Sequence, residues 1–519
     1  MKRHGSTFLV AIILVTIMVS CGETTSDQQA VTGFEALSGP YLGQEPPGAE
    51  PELFMPGLIS TNDRDGCISF LDNGKLCVFG NDETGMQYTF EKDGRWTIPR
   101  HAPWAFKQGV QDNTSGGDGR RIFIQSRGLT SPDDEEKDNN IWVVEWDGAG
   151  WSESQPLPPI VNTDKMEFYP TASSDGSVFF FASEYDDSRR SDIYECGFVN
   201  GEYKDAERLP YPLNTDYGEL DPAVAPDGSY IIISSSRPGG YGATDHYIAF
   251  RREDGTWSHA LNLGNKFNTP NGEYRACITP DGEFFFFVSD RKTDIAKGKK
   301  VVSTLKDKYN DGDVYWADTT FFNDLKVELL ATECAAEIVF EEYRMNGLEA
   351  ATETLAALYN AGEGRHHFSP CEFLGICDHQ LKAGKADDAN QFYQVLLDTL
   401  PDVFRIKLGF AQVCIWNGQV GIGLDIIKRL LDDDPLLELN NTLYWLAYSL
   451  LGESQTEDAL QVFQLNARNH PSVRAYYGLA IAYQRNGDFR QAIESCRKSL
   501  ELNPDFEDAL ELLNKLERQ

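Results

Sequence analysis

The hydrophobic pattern of this chain changes period once. From about residue 55 to 320, apolar residues come as short runs of aromatic and β-branched side chains between turn residues; from Val327 onward they recur at helical spacing. The first pattern is a repeated unit. Its clearest copies are YPTASSDGSVFFFASEYDDSRRSDIY (Tyr169 to Tyr194) and LDPAVAPDGSYIIISSSRPGGYGATDHY (Leu220 to Tyr247). A third runs from YRACITPDGEFFFFVSDR (Tyr274 to Arg291) to the GDVY ending at Tyr315. Each copy holds a Pro-Asp-Gly-type turn, an apolar run and then Asp-x-Tyr.

The unit reads as four strands. Ala223-Val224-Ala225 leads into Pro226-Asp227-Gly228, and Ser229 to Ile233 follows. Tyr247 to Phe250 comes after Asp245, and a fourth strand is expected to begin at Gly255-Thr256-Trp257. Asp-Gly suits a tight hairpin because glycine accepts positive φ without a Cβ clash. A continuously apolar second strand suits a sheet covered on both faces. Weaker copies centre on Asp72-Asn73-Gly74 and Asp118-Gly119, and Gly94-Arg95-Trp96, Gly150-Trp151 and Gly201-Glu202-Tyr203 repeat the closing signal. The turn glycines Gly74, Gly119, Gly176, Gly228 and Gly282 lie 45, 57, 52 and 54 residues apart, the length of a four-stranded blade with its loops. Five markers predict five blades of a β-propeller, and flanking segments leave a sixth open.

The Pro-Asp-Gly turn, the aromatic strand, Ser289-Asp290-Arg291 and Asp-x-Tyr resemble the WD-like propeller repeats of TolB-type exported bacterial proteins. The resemblance covers about half the chain and implies a fold and a periplasmic setting, with no reaction attached. In that family the Asp caps turns and the Tyr or Trp packs between sheets.

In the helical region Pro401, Pro435, Pro471 and Pro504 are spaced by 34, 36 and 33 residues. This spacing resembles the tetratricopeptide repeat, a helix pair of about 34 residues. Tyr476, Leu479, Ala480, Tyr483, Ala492 and Pro504 fall on its consensus positions, with Asn486-Gly487 as the turn within the pair. Leu443, Leu446, Ala447, Leu450, Ala459, Phe463 and Pro471 form the preceding copy. Two degenerate copies contain Phe373, Ile376, Cys377, Ala389 and Tyr393, then Phe410, Ala411, Cys414, Gly423 and Ile427. Residues 336–360 predict another pair turning near Asn346-Gly347, and Asp505 to Arg518 a polar capping helix, which such stacks need. The resemblance implies a surface for peptides or partner proteins.

The N-terminus reads as a targeting signal, with Lys2 and Arg3 before the apolar stretch Phe8 to Val19, too short to span a bilayer. Met18-Val19-Ser20-Cys21 resembles a bacterial lipobox with Met in the usual Leu position, which implies lipidation of Cys21; an ordinary cleaved secretory signal is the alternative. The net charge of −35 argues against nucleic acid and anionic membrane surfaces, whose binders need basic patches. Nine cysteines follow Cys21 without a framework spacing, and buried free thiols are expected.

Little chemistry converges. His366-His367-x3-Cys371-x5-Cys377-x-His379 has zinc-ligand types, but Cys377 occupies a small-residue packing position, so a structural role is preferred. Asp133 to Glu136 with Asp138 lacks calcium-loop spacing and reads as a solvated loop. No Gly-x-Ser-x-Gly elbow, Walker or dinucleotide fingerprint occurs. His101, His246 and His259 lie in propeller strands or loops, and His246 fills the variable position of Asp-x-Tyr.

The expected chain is multidomain: an all-β propeller followed by an all-α tetratricopeptide solenoid. A signal peptide covers 1–20, a tether 21–54, the propeller 55–322 and the helical domain 325–519. The expected function is a non-enzymatic, envelope-anchored scaffold or ligand-binding adaptor on the outer membrane, facing the periplasm or the cell surface. A protein or peptide would occupy the helical groove, and a protein, glycan or peptide the propeller face. The membrane would be met only through the lipid on Cys21. Nucleic acid, cofactors, metal ligands and catalytic residues are not expected. Two alternatives are a saccharide lyase or hydrolase in the propeller channel, and an extracytoplasmic sensor.

Overall fold

Five antiparallel units, the first of five strands and the others of four, fold in succession and stack side by side as the blades of a propeller. The computed structural model describes residues 33–518 apart from 62–64, 82–84, 105–109, 127–138, 184–190, 292, 295–298, 301–311, 363 and 436. Cys21, the signal peptide and the acidic run Asp133 to Asp138 therefore lie outside the described residues.

Blade I begins with Asp65–Leu71, blade II with Val110–Ser115, blade III with Met166–Ala172, blade IV with Glu219–Val224 and blade V with Glu273–Ile278. The Asp-Gly turns follow these first strands. At the blade IV turn the Asp227 carboxylate accepts the Ser229 N–H at 3.0 Å, and Gly228 sits at φ +71°. Asp175 and Asp281 do the same for Ser177 and Glu283.

The second strands are apolar through their middles because both faces are covered there. In Phe284–Ser289, Phe285 and Phe287 pack toward Ile232, Ile248 and Phe250 of blade IV. Phe284, Phe286 and Val288 pack toward Ile68 and Phe70 of blade I. Alternate residues thus serve opposite neighbours, as the strand period requires.

The flanking segment completes the fifth blade rather than adding a sixth. Glu52–Leu53 pairs with Trp316 and Tyr315 and becomes the outer strand of blade V. Residues 33–54, read from the sequence as the end of a tether, are packed: Phe34, Tyr41, Leu42 and Phe54 are buried beside Phe70 and Trp316. The outer strands also start later than the Gly-x-aromatic signal. Trp257 only bridges back to Arg251, and the outer strand of blade IV is Leu261–Asn262. The aromatic ends a hairpin, and a few more residues are needed to reach the blade's rim.

Twelve helices follow among the described residues. Helix α1 (Phe322–Ala331) packs Phe322 on Tyr230 of blade IV. Then come α2 (Ala335–Asn346), α3 (Leu348–Asn360), α4 (Pro370–Lys382), α5 (Ala386–Thr399), α6 (Val403–Trp416) and α7 (Val420–Asp433). The last are α8 (Asn440–Gly452), α9 (Thr456–Asn469), α10 (Val473–Arg485), α11 (Phe489–Leu502) and α12 (Glu507–Glu517). Ala480 and Ala492 are buried together with Cys496 and Leu516, so the last pair closes through small residues as predicted and α12 covers its end. No helix among the described residues is long and apolar enough to cross a membrane.

Candidate functional site

The propeller's most regular residues build blades. In blade IV, Glu219 accepts the Thr215 N–H and hydroxyl at 2.9 and 2.6 Å and the Ser235 hydroxyl at 3.0 Å. Arg237 donates to Glu219 at 3.2 Å and lies over the Tyr247 ring at 4.7 Å. Blade V repeats the set with Thr269, Glu273, Ser289, Arg291 and Tyr315. This explains Ser-x-Arg and the Tyr of Asp-x-Tyr. The Asp holds a loop: Asp245 accepts the N–H groups of Tyr241 and Gly242. Sequence reading missed the Asn-Thr-x3-Glu that opens blades III, IV and V, at Asn162–Glu167, Asn214–Glu219 and Asn268–Glu273, although its recurrence was visible. Asn162 and Asn214 satisfy backbone groups of the preceding blade's third strand, and Asn268 those of blade IV; Asn214 accepts the Ile193 N–H at 2.7 Å and donates to the Ile193 carbonyl at 2.9 Å.

The axial channel is narrow. Its cavity of about 10 Å³ is lined by residues from all five first strands, among them Asn113, Tyr169, Asp221 and Arg275. His246 is elsewhere, fully buried against Phe285 and Phe287 of the next blade, and burial lowers its pKa to about 3. His101 lies on the exposed outer strand of blade I.

The larger space is where the solenoid meets blades III and IV. A groove of about 420 Å³ runs between Arg208, Tyr211, Asp216 and Tyr217 on one side and Phe340, Asp378 and Lys382 on the other. Lys382 Nζ ties the two sides, 2.8 Å from Asp216 and 2.7 Å from Asp378. Tyr217 packs on Trp416 with ring centroids 5.0 Å apart.

First helices of three successive pairs bear on the propeller at one repeated position, which recurs in a fourth. Cys371, Arg405, Asn441 and Arg474 are spaced by 34, 36 and 33 residues, the spacing of the prolines. Cys371 Sγ is 3.2 Å from the Tyr247 hydroxyl, Arg405 donates to the Gly239 carbonyl at 2.6 Å, and Asn441 donates to Asp290 at 3.2 Å. Arg474 reaches back to Asn441 and lies over Tyr444 and Trp445. The closest approach needs two glycines: a Cβ on Gly409 would stand 2.4 Å from the backbone nitrogen of Gly239. Much of the face that sequence reading reserved for a foreign partner is therefore held by the protein's own propeller. Beyond that contact Trp445 and Tyr448 stay 43% and 40% exposed.

The His366–His379 cluster does not assemble as one group. Cys377 is buried in the helical core, and His379 packs edge-on against Phe340. His367 instead joins residues from two other segments, His259 and Cys334, around Glu372. The nine cysteines of the described residues are all buried, and none of them forms a disulfide.

A five-bladed propeller joined to a helical solenoid defines the class of this protein. The tetratricopeptide repeat family matches residues 473–515. No curated protein sequence matches the chain. Among solved structures, an α-L-arabinofuranosidase from Lactobacillus brevis is 12% identical, with 49% of this chain and 90% of that one covered, at a TM-score of 0.33. Kuenenia stuttgartiensis hydrazine synthase is 12% identical over 43% and 61%, at 0.27. A thermophilic tetratricopeptide protein of Thermus thermophilus is 14% identical over 36% and 98%, at 0.18. At these TM-scores, what those proteins do says nothing about this chain.

Proposed function

We propose that the protein is a non-enzymatic interaction scaffold anchored in the cell envelope through a lipid on Cys21, with a TolB-type propeller as a rigid support. The partner is a protein or peptide that docks on the first-helix face of the last two pairs. One observation carries this reading: Trp445 and Tyr448 stay exposed on α8, beside Arg474, while the first helices of the earlier pairs, α4 and α6, bear on blade IV through Cys371 and Arg405, and blade V meets α8 near its start at Asn441. Exposed aromatics next to an arginine are the residues that most often anchor a partner.

Cross-linking and capture from solubilised envelope, with wild type, Trp445→Ala/Tyr448→Ala and Cys21→Ala compared, tests it. A protein recovered by wild type and lost from the aromatic double variant, with Cys21→Ala released from the membrane, is the expected result. A Cys21→Ala chain that stays membrane-bound, or recovery indifferent to the aromatic pair, sinks the reading.

A further inference from the structure

Four side chains with metal-ligand chemistry converge where the propeller meets the helices, and they come from three separate stretches of chain. His259 precedes the outer strand of blade IV, and its segment is pinned by Ser258, whose N–H donates to Phe250 O and whose hydroxyl accepts the Phe250 N–H. Cys334 lies on a two-residue strand, Glu333–Cys334, paired in parallel with His366–His367, so that Cys334 stands opposite His367. Glu372 is in the first turn of α4, whose start is set by Pro370. Its carboxylate is the hub. Oε1 is 3.2 Å from His259 Nδ1, while Oε2 is 2.9 Å from Cys334 Sγ and 3.5 Å from His367 Nε2.

Hydrogen bonding alone leaves this cluster poorly served. His367 is 5% exposed, and both of its ring nitrogens are buried without a hydrogen-bond partner. The buried His259 Nδ1 faces Glu372 at contact distance but out of line for a hydrogen bond. Buried polar groups in native proteins are nearly always satisfied, so two such imidazoles beside one carboxylate need another explanation. A bound cation supplies one. The donor atoms of His259, Cys334 and Glu372 all lie within 4.8 Å of one another. Donors of a tetrahedral zinc site stand roughly 3.3–3.8 Å apart, given bond lengths of about 2.0–2.3 Å.

We propose that His259, Cys334 and Glu372, with His367 as fourth ligand, bind a zinc ion that locks the helical domain onto blade IV. Imidazole nitrogen, thiolate sulfur and carboxylate oxygen together suit this borderline-soft ion better than magnesium or calcium, which take oxygen ligands. Charge closes as well. The Cys334 thiol gives its proton to solvent, and one thiolate plus one carboxylate neutralise the dication while both imidazoles bind uncharged. The site spans two domains, so the metal's binding energy becomes docking energy.

The test uses the purified full mature chain, prepared without chelator. Its zinc content is measured by plasma mass spectrometry, its affinity by titration with Zn²⁺ against a chromophoric chelator, and its donor set by cobalt substitution. The expected result is one equivalent of zinc per chain and a thiolate-to-cobalt charge-transfer band. Cys334→Ser should abolish the band, and His259→Ala and Glu372→Gln should each weaken zinc by about tenfold or more. Cys377→Ser should leave both readouts unchanged, which separates this site from the run in sequence. If Cys334→Ser does not fold, His259→Ala carries the comparison, because that residue lies on the propeller side. Absence of stoichiometric zinc in wild type, a cobalt complex without a thiolate band, or unchanged affinity in His259→Ala overturns the proposal.

Discussion

The propeller and the solenoid both stack repeats on apolar cores, but the blades add buried polar networks to theirs. Blades IV and V each bury a Thr–Glu–Ser–Arg network under a tyrosine. The helix pairs bury apolar and small residues: Ala447, Ala459 and Phe463 lie together, and a Cβ on Gly478 would stand 2.3 Å from the Phe463 ring. The difference follows from where backbone hydrogen bonds are made. A helix satisfies its own backbone, so its neighbours need only shape. Blade ends leave loop and edge groups unsatisfied, and these must be met by side chains such as Asn214, which bonds Ile193 and Leu209.

The largest effect is expected where a network loses one charge. Arg237→Ala strands a fully buried Glu219 and should destabilise the chain by about 4 kcal/mol in urea melts followed by tryptophan fluorescence. Replacing Arg237 and Glu219 together by methionine should recover much of the loss. If Arg237→Ala costs under about 1 kcal/mol, polar networks do not distinguish the blades from the helices.

Phe463→Ala should cost about 3 kcal/mol through the cavity it leaves. In a nearest-neighbour stack the damage stays local, so hydrogen exchange should quicken in α8 to α10 while the blade strands keep their protection. Equal loss in the blades would mean that the two arrays unfold as one unit.

A titration comes next. Burial, opposed by Arg291 and reinforced by Asp245, raises the pKa of Glu273 to about 7. The folded state then holds a proton that the unfolded state releases from its ordinary 4.5. This contribution to stability is complete below that value and is lost as pH rises through the folded pKa. Glu273→Gln should therefore flatten the decline in stability between about pH 4.5 and 7, by on the order of 2 kcal/mol. An unchanged slope would place the titrating group elsewhere.

The smallest effect tests a helix end. Asp488 caps α11 by accepting the Gln491 N–H at 3.1 Å, and Asp488→Ala should cost about 1 kcal/mol by thermal unfolding. A cost near that of Arg237→Ala would erase the contrast between directional and apolar repeats.

Local chemistry was readable residue by residue. Asp-Gly turns, two-faced apolar strands, small residues between paired helices and a repeat period of about 34 follow from φ preference and side-chain periodicity, which act within a few residues. The Asn-Thr-x3-Glu repeat was equally present and went unread because no single copy names a chemistry. Blade number was decided elsewhere: Glu52–Leu53 pairs with Trp316 and Tyr315 across almost the whole propeller, and nothing local announces that partner. The same holds for the junction. His367 was singled out with the wrong companions, because its neighbours in sequence point into the helical core while His259 and Cys334 arrive from other segments. The sequence by itself determined which kinds of repeat would form, since those depend on contacts between near neighbours. Tertiary structure alone decided how many blades close and which side chains meet between the arrays, because pairing distant segments depends on the packing of the whole chain.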